Sequence, residues 1–193
     1  MKKLVVLLMV LSAAPMVMAQ ELPYRQIPEY PASYNEGTVA ARVVDGLGFR
    51  YYWATEGLRP EDLKFKPSAE ARTTDETLDH ILGLTTVLYN AVTHQVNEGG
   101  GETGLTFEAK RQKTLANIQA ASEILKKSTA EELEGFTMIF KSANGTSEFP
   151  FWNLLNGPID DALWHVGQVI TFRRSSGNPF NSKVSVLQGK VRE

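Results

Sequence analysis

His80, His94 and His165 are the only imidazoles in the chain, and there is no cysteine. Any metal chemistry must therefore come from nitrogen and oxygen donors, because thiolate sites and thiol nucleophiles are excluded. Asp161 stands four residues before His165, and on a helix that spacing puts a carboxylate and an imidazole on one face, one turn apart. Gln168 and Phe172 continue the same stripe, which borders an apolar arc of Ala162, Val166 and Val169. At 100° per residue, His80 shares a face with Leu84, Val87 and Ala91 and points inward from a different helix, whereas His94 falls near a helix end and partly off that face. His80, Asp161 and His165 together supply three ligands at about 2.0–2.2 Å with a coordination position left open, the ligand number of a catalytic rather than a closed structural site. The competing reading makes His80 a satisfied core histidine and Asp161 a first-turn acid that complements the helix dipole.

The neighbouring polar residues have two readings each. Gln168 is placed to hydrogen-bond a ligand or its water, as groups behind a metal ligand do. Trp164 reads as packing beside the site. Asn153 and Asn156 precede the helix and face the mouth of the helical array, although Asn156 is also a good N-cap. Arg173 and Arg174 suit an anionic substrate or, equally, a solvated helix C-terminus. No G-x-S-x-G, H-E-x-x-H or phosphate-loop pattern is present, and nothing points to a Ser/His/Asp triad.

The elements that must hold these residues are mostly helical. Residues 20–35, with three prolines, form an extended lead-in. From Gly37 to Leu58 the spacing of Val39, Val43, Leu47 and Tyr51, with Val44, Phe49 and Trp53 widening the face, predicts a helix with that face inward, and Gly46 and Gly48 each cost it roughly 1 kcal/mol if exposed. Thr73 and Glu76 form a capping box that opens a second helix reaching about Gln95. A glycine-rich loop follows. A third helix runs from about Thr106 to Lys127, with Leu115, Ile118, Ala121, Ile124 and Leu125 along one stripe, and Ser128 to Leu133 makes a short extra turn. Between Phe136 and Phe151 the pattern becomes a β-hairpin turning at Asn144-Gly145. The last long helix starts near Gly157-Pro158, with proline in its first turn, and stops at Gly177. A tail with Val184, Val186 and Leu187 packs as an extended strip. The expected fold is all-α: a four-helix bundle with a small hairpin before the last helix, spanning residues 36–193.

Two segments carry a family resemblance. Asp160-Asp161-Ala162-Leu163-Trp164-His165-Val166-Gly167-Gln168-Val169, followed by Phe172-Arg173-Arg174 and Gly177, resembles the last helix of the DinB-like family, whose members carry H-x-x-x-H-x-G-Q there. Leu78-Asp79-His80-Ile81-Leu82 resembles the family's L-x-H-I run on the second helix. The resemblance implies a bundle in up-down-down-up order, with His80 as the first metal ligand and His165 as the last. Asp161 stands where the family usually has its middle histidine. Two histidines and a carboxylate suit zinc, nickel, manganese or ferrous iron, while the same substitution is also what a decayed site in a non-catalytic binding or interaction bundle looks like. The resemblance further implies a hydrolase or a transferase that joins a low-molecular-weight thiol to an electrophile, acting on a small molecule. Members of the family are often dimeric, but no exposed apolar stripe in the sequence argues for a homodimer.

Residues 1–19 have the three parts of an export signal: Lys2 and Lys3, an apolar run from Leu4 to Leu11, and small residues up to Ala19. The run is shorter than the roughly 20 residues a bilayer requires, so no stable membrane anchor is expected. Cleavage near Ala19 would release the chain to the periplasm or the medium. It would also lower the 20 basic residues to 18 against 22 acids, a net charge near −4. That balance gives no electrostatic reason to expect nucleic acid as a partner. Export also favours hydrolysis over thiol transfer, because low-molecular-weight thiols are scarce outside the cytoplasm.

Overall fold

The computed structural model describes residues 21–102 and 104–193; the expected export signal lies outside them. The chain is mostly helical, with a three-stranded and a two-stranded sheet. Helix α1 (Glu36–Thr55) opens on a capping box in which Asn35 accepts from the Thr38 N–H and Thr38 accepts from the Asn35 N–H. This satisfies two donors that would otherwise be orphaned. A short α2 (Pro60–Lys64) leads to α3 (Thr74–Val92), which opens on the expected Thr73–Glu76 box. Helix α4 (Phe107–Leu125) is capped by Thr106. The short α5 (Ala130–Gly135) is capped by Thr129 and precedes the hairpin of β2 (Thr137–Ser142) and β3 (Gly145–Pro150). Strand β1 (Val96–Asn97) joins β2 in parallel. The hairpin turns at Ala143-Asn144, one residue earlier than expected, because Gly145 takes the positive φ of 126° as the first residue of β3.

The last helix does not begin at Pro158. Helix α6 (Phe151–Leu154) runs through a π-helical turn (Leu155–Ile159) into α7 (Asp160–Ser175), and Pro158 lies inside that turn. Proline cannot donate to the residue four before it and crowds that carbonyl, so the helix widens there instead of stopping. Asn156, within the widened turn, therefore does not cap α7. Helix α7 ends in a Schellman motif as expected: Gly177, at φ 82°, donates to the Arg174 carbonyl, and Asn178 donates to that of Arg173.

Helix α1 packs on α4 and α7, and α3 packs on the same two helices. Lys110, near the start of α4, pairs with Asp75 at the start of α3, so α3 and α4 run parallel. Arg173, near the end of α7, donates to the carbonyls of Trp53, Ala54 and Glu56 at the end of α1, so these two also run parallel. Arg111, at the start of α4, reaches Thr55 and Glu56 at the far end of α1, which makes that pair antiparallel. Leu47, Leu78, Ile81, Leu115, Ile118, Ala162 and Val169 fill the space between the helices, all fully buried.

Four positions expected to pack inward, on α1 and in the tail, are exposed. Val39 and Val43 are 53% and 41% exposed; the buried arc of α1 keeps the expected Val44, Leu47 and Tyr51 and adds Ala40. The first two members of the four-residue stripe sit beside that arc, since adjacent positions differ by 100° on a helix. Gly48 belongs to the arc because a Cβ there would lie 2.6 Å from the ring of Tyr24, which folds back from the lead-in. In the tail, Val184 is buried in the short pair β4 (Val184–Ser185) and β5 (Lys190–Val191), whereas Val186 and Leu187, expected to pack with it, are 47% and 93% exposed at the turn. No helix among the described residues is long and apolar enough to cross a membrane.

Candidate metal centre

Helices α3 and α7 bring the three expected ligands together. Buried Lys110 pairs with both Asp75 and Asp79, which fixes the rotation of α3 one residue before His80 and turns that imidazole toward α7. On α7, Ala162, Val166 and Val169 are buried against the core, and Asp161 and His165 follow one side of that arc.

The Nε2 atom of His80 lies 3.2 Å from Oδ2 of Asp161, and Nε2 of His165 lies 3.3 Å from Oδ1 of the same carboxylate. The two imidazoles meet edge to face with their centroids 4.6 Å apart. One donor atom from each residue lies within 4.8 Å of the others, so the three can hold a single metal ion. Ligand bonds of 2.0–2.2 Å put neighbouring donors about 3.4 Å apart in a tetrahedral shell and about 3.0 Å in an octahedral one. The two separations to Asp161, one to each carboxylate oxygen, fall between these values. The group is partly open to solvent: His165 is mostly buried at 14% exposure, while His80 and Asp161 are about one-third exposed.

Behind His165, its Nδ1 lies 2.8 Å from Oε1 of Gln168. With Nδ1 donating to this amide oxygen, the Nε2 lone pair faces Asp161 and is free to bind a cation. Trp164, expected to pack, is instead 72% exposed beside the ligands on α7. Asn153 and Asn156 are exposed on α6 and the π-helical turn, and neither hydrogen-bonds the three ligands. His94 does not join them either. It follows the α3 cap in the left-handed region at φ 55° and packs at a tilt against Phe136, with ring centroids 5.5 Å apart.

The two arginines after the site have separate fates. Arg174 is exposed, but Arg173 is only 4% exposed, and its guanidinium satisfies carbonyls at the end of α1 as well as Asn178. Burial pulls its pKa down from the ordinary arginine value. Its role is to join two helices, which leaves it unable to meet a substrate. That role was hidden in the sequence because an arginine in a last helical turn most often reaches solvent. Comparison with protein-family models, curated proteins and solved structures returns no match, so the chemistry of the site stands on its own geometry.

Proposed function

We propose that this chain is an exported DinB-like four-helix bundle whose His80, Asp161 and His165 hold a divalent ion for hydrolysis of a small-molecule substrate. The observation carrying the proposal is the convergence of two imidazole nitrogens and one carboxylate, from helices 81 residues apart, at spacings suited to one ion. The bundle reading draws support from the directions of the helices: α1 and α7 run one way, and α3 and α4 the other.

Zinc, nickel, manganese and ferrous iron all accept this ligand set. When bound, the ion supplies Lewis acidity in an open coordination position. The protein's part is positional. Gln168 holds the His165 ring by Nδ1, the Lys110 pairs hold α3, and the Asp161 carboxylate spans the gap between the imidazoles. The exposed Trp164 ring offers an apolar wall to a substrate arriving from solvent.

Elemental analysis of the processed protein, purified without a histidine tag, tests the proposal. One divalent ion per chain is expected, with loss of that ion in His80→Ala. A chain that takes up no ion from excess zinc, nickel, manganese or iron would overturn it and leave a bundle that acts only by binding.

A further inference from the structure

The displaced stripe of α1 forms one wall of a second site. Val39 and Val43, one turn apart, face a groove of about 710 Å³ closed by Leu133 of α5 and by Phe151, Trp152 and Leu155. Trp152 is 76% exposed and Tyr34, at the rim, 98%. Two valines in line on a helix weaken its propensity slightly and expose apolar area to water. Their alignment with an exposed tryptophan makes a continuous apolar face, the kind of surface that marks a binding site. The volume lies within the roughly 300–1,000 Å³ that accommodates small ligands.

Charge selects the occupant. Among the described residues, the charged ones lining the groove are Glu36 and Glu134, with no lysine, arginine or histidine. Neither carboxylate forms an ion pair among the described residues. Glu36 lies in the first turn of α1, at the rim of the groove. Glu134 lies near the end of α5, whose last turn has no basic residue. The aromatic faces of Tyr34 and Trp152 add attraction for a cation.

We propose that this groove binds a small amphiphilic cation, an aryl or alkyl body bearing a protonated amine. The body lies against Val39, Val43, Leu133 and Phe151, and the ammonium meets Glu36 and Glu134. This site is independent of the metal reading.

Three probes that share one apolar body separate the contributions: phenylbutylamine, phenylbutanol and phenylbutyrate. Each is titrated into the full chain while amide and indole resonances are followed. The amine is expected to shift Val39, Val43, Leu133 and the Trp152 indole, and to bind about tenfold more tightly than the carboxylate. Glu36→Gln with Glu134→Gln should bring the amine to the affinity of the alcohol and leave alcohol binding unchanged. Equal affinity for amine and carboxylate, shifts confined to other surfaces, or no binding of the amine would each overturn the proposal. So would light scattering showing a dimer that protects these resonances, since the groove would then be an interface between two copies.

Discussion

Gln168 shows how much of the candidate centre depends on a residue that touches no ion. His165 has two ring nitrogens, and only the one facing Asp161 is useful as a ligand. With the proton on Nδ1, the 2.8 Å contact to the Gln168 oxygen holds the ring plane and leaves Nε2 for an ion. Replacing Gln168 with leucine removes the acceptor, and metal affinity should fall by about 10–100-fold. Gln168→Glu keeps an oxygen at that position and should retain most of the affinity. Competition titrations with a chromophoric chelator would measure both. Equal loss in the two variants would point to packing in place of orientation, and unchanged affinity in the leucine variant would remove Gln168 from the site. The spacing of Asp161, His165 and Gln168 was legible in the sequence because a single helix carries all three. The pairing with His80 was less so, since it depends on how α3 and α7 rotate against each other.

At the scale of elements, local signals were the readable ones. Thr73 with Glu76, Thr106 and Gly177 sit at helix ends where their own chemistry acts, and each marks its boundary within a residue or two. Pro158 was misread because a helix interior normally excludes proline; only the widened turn before α7 makes room for it. Val39 and Val43 were misread because a four-residue spacing does not say which of two adjacent faces is inward. Two helix-interior glycines have a simpler physical consequence. Gly83 in α3 and Gly167 in α7 are exposed, have negative φ, and would place a Cβ in open space. Alanine at either position reduces the freedom of the unfolded chain and removes no native contact. Gly83→Ala and Gly167→Ala should therefore each raise stability by about 1 kcal/mol, seen as a higher urea midpoint with an unchanged slope. A loss of stability in either variant would mean that the glycine is required by a conformation other than this one.

Across the whole molecule, the ends of α1, α2 and α7 are joined through one buried carboxylate, and this makes the fold sensitive to acid. Asp62 is fully buried and accepts from Arg59, Ser176 and Asn178, while Arg173 nearby binds the last turn of α1. The Arg59 guanidinium, with help from Ser176 and Asn178, holds the Asp62 carboxyl well below the usual carboxylate range, although burial opposes this. A carboxyl that binds its proton less readily when folded than when unfolded contributes stability above its unfolded pKa, near 4. That contribution fades as pH falls below this value toward the depressed folded pKa. Asp62→Asn removes the buried carboxylate that accepts from Arg59, Ser176 and Asn178 and should cost about 1–3 kcal/mol near neutral pH. Urea midpoints for both proteins, followed from about pH 7 to about pH 3, isolate this residue from the other acids through their difference. The difference should be constant down to about pH 5 and narrow below that, because there only the wild type takes up a proton at Asp62 as it unfolds. If the gap stays the same across the whole range, Asp62 holds the helix ends by shape and hydrogen bonding alone, with no contribution from its charge.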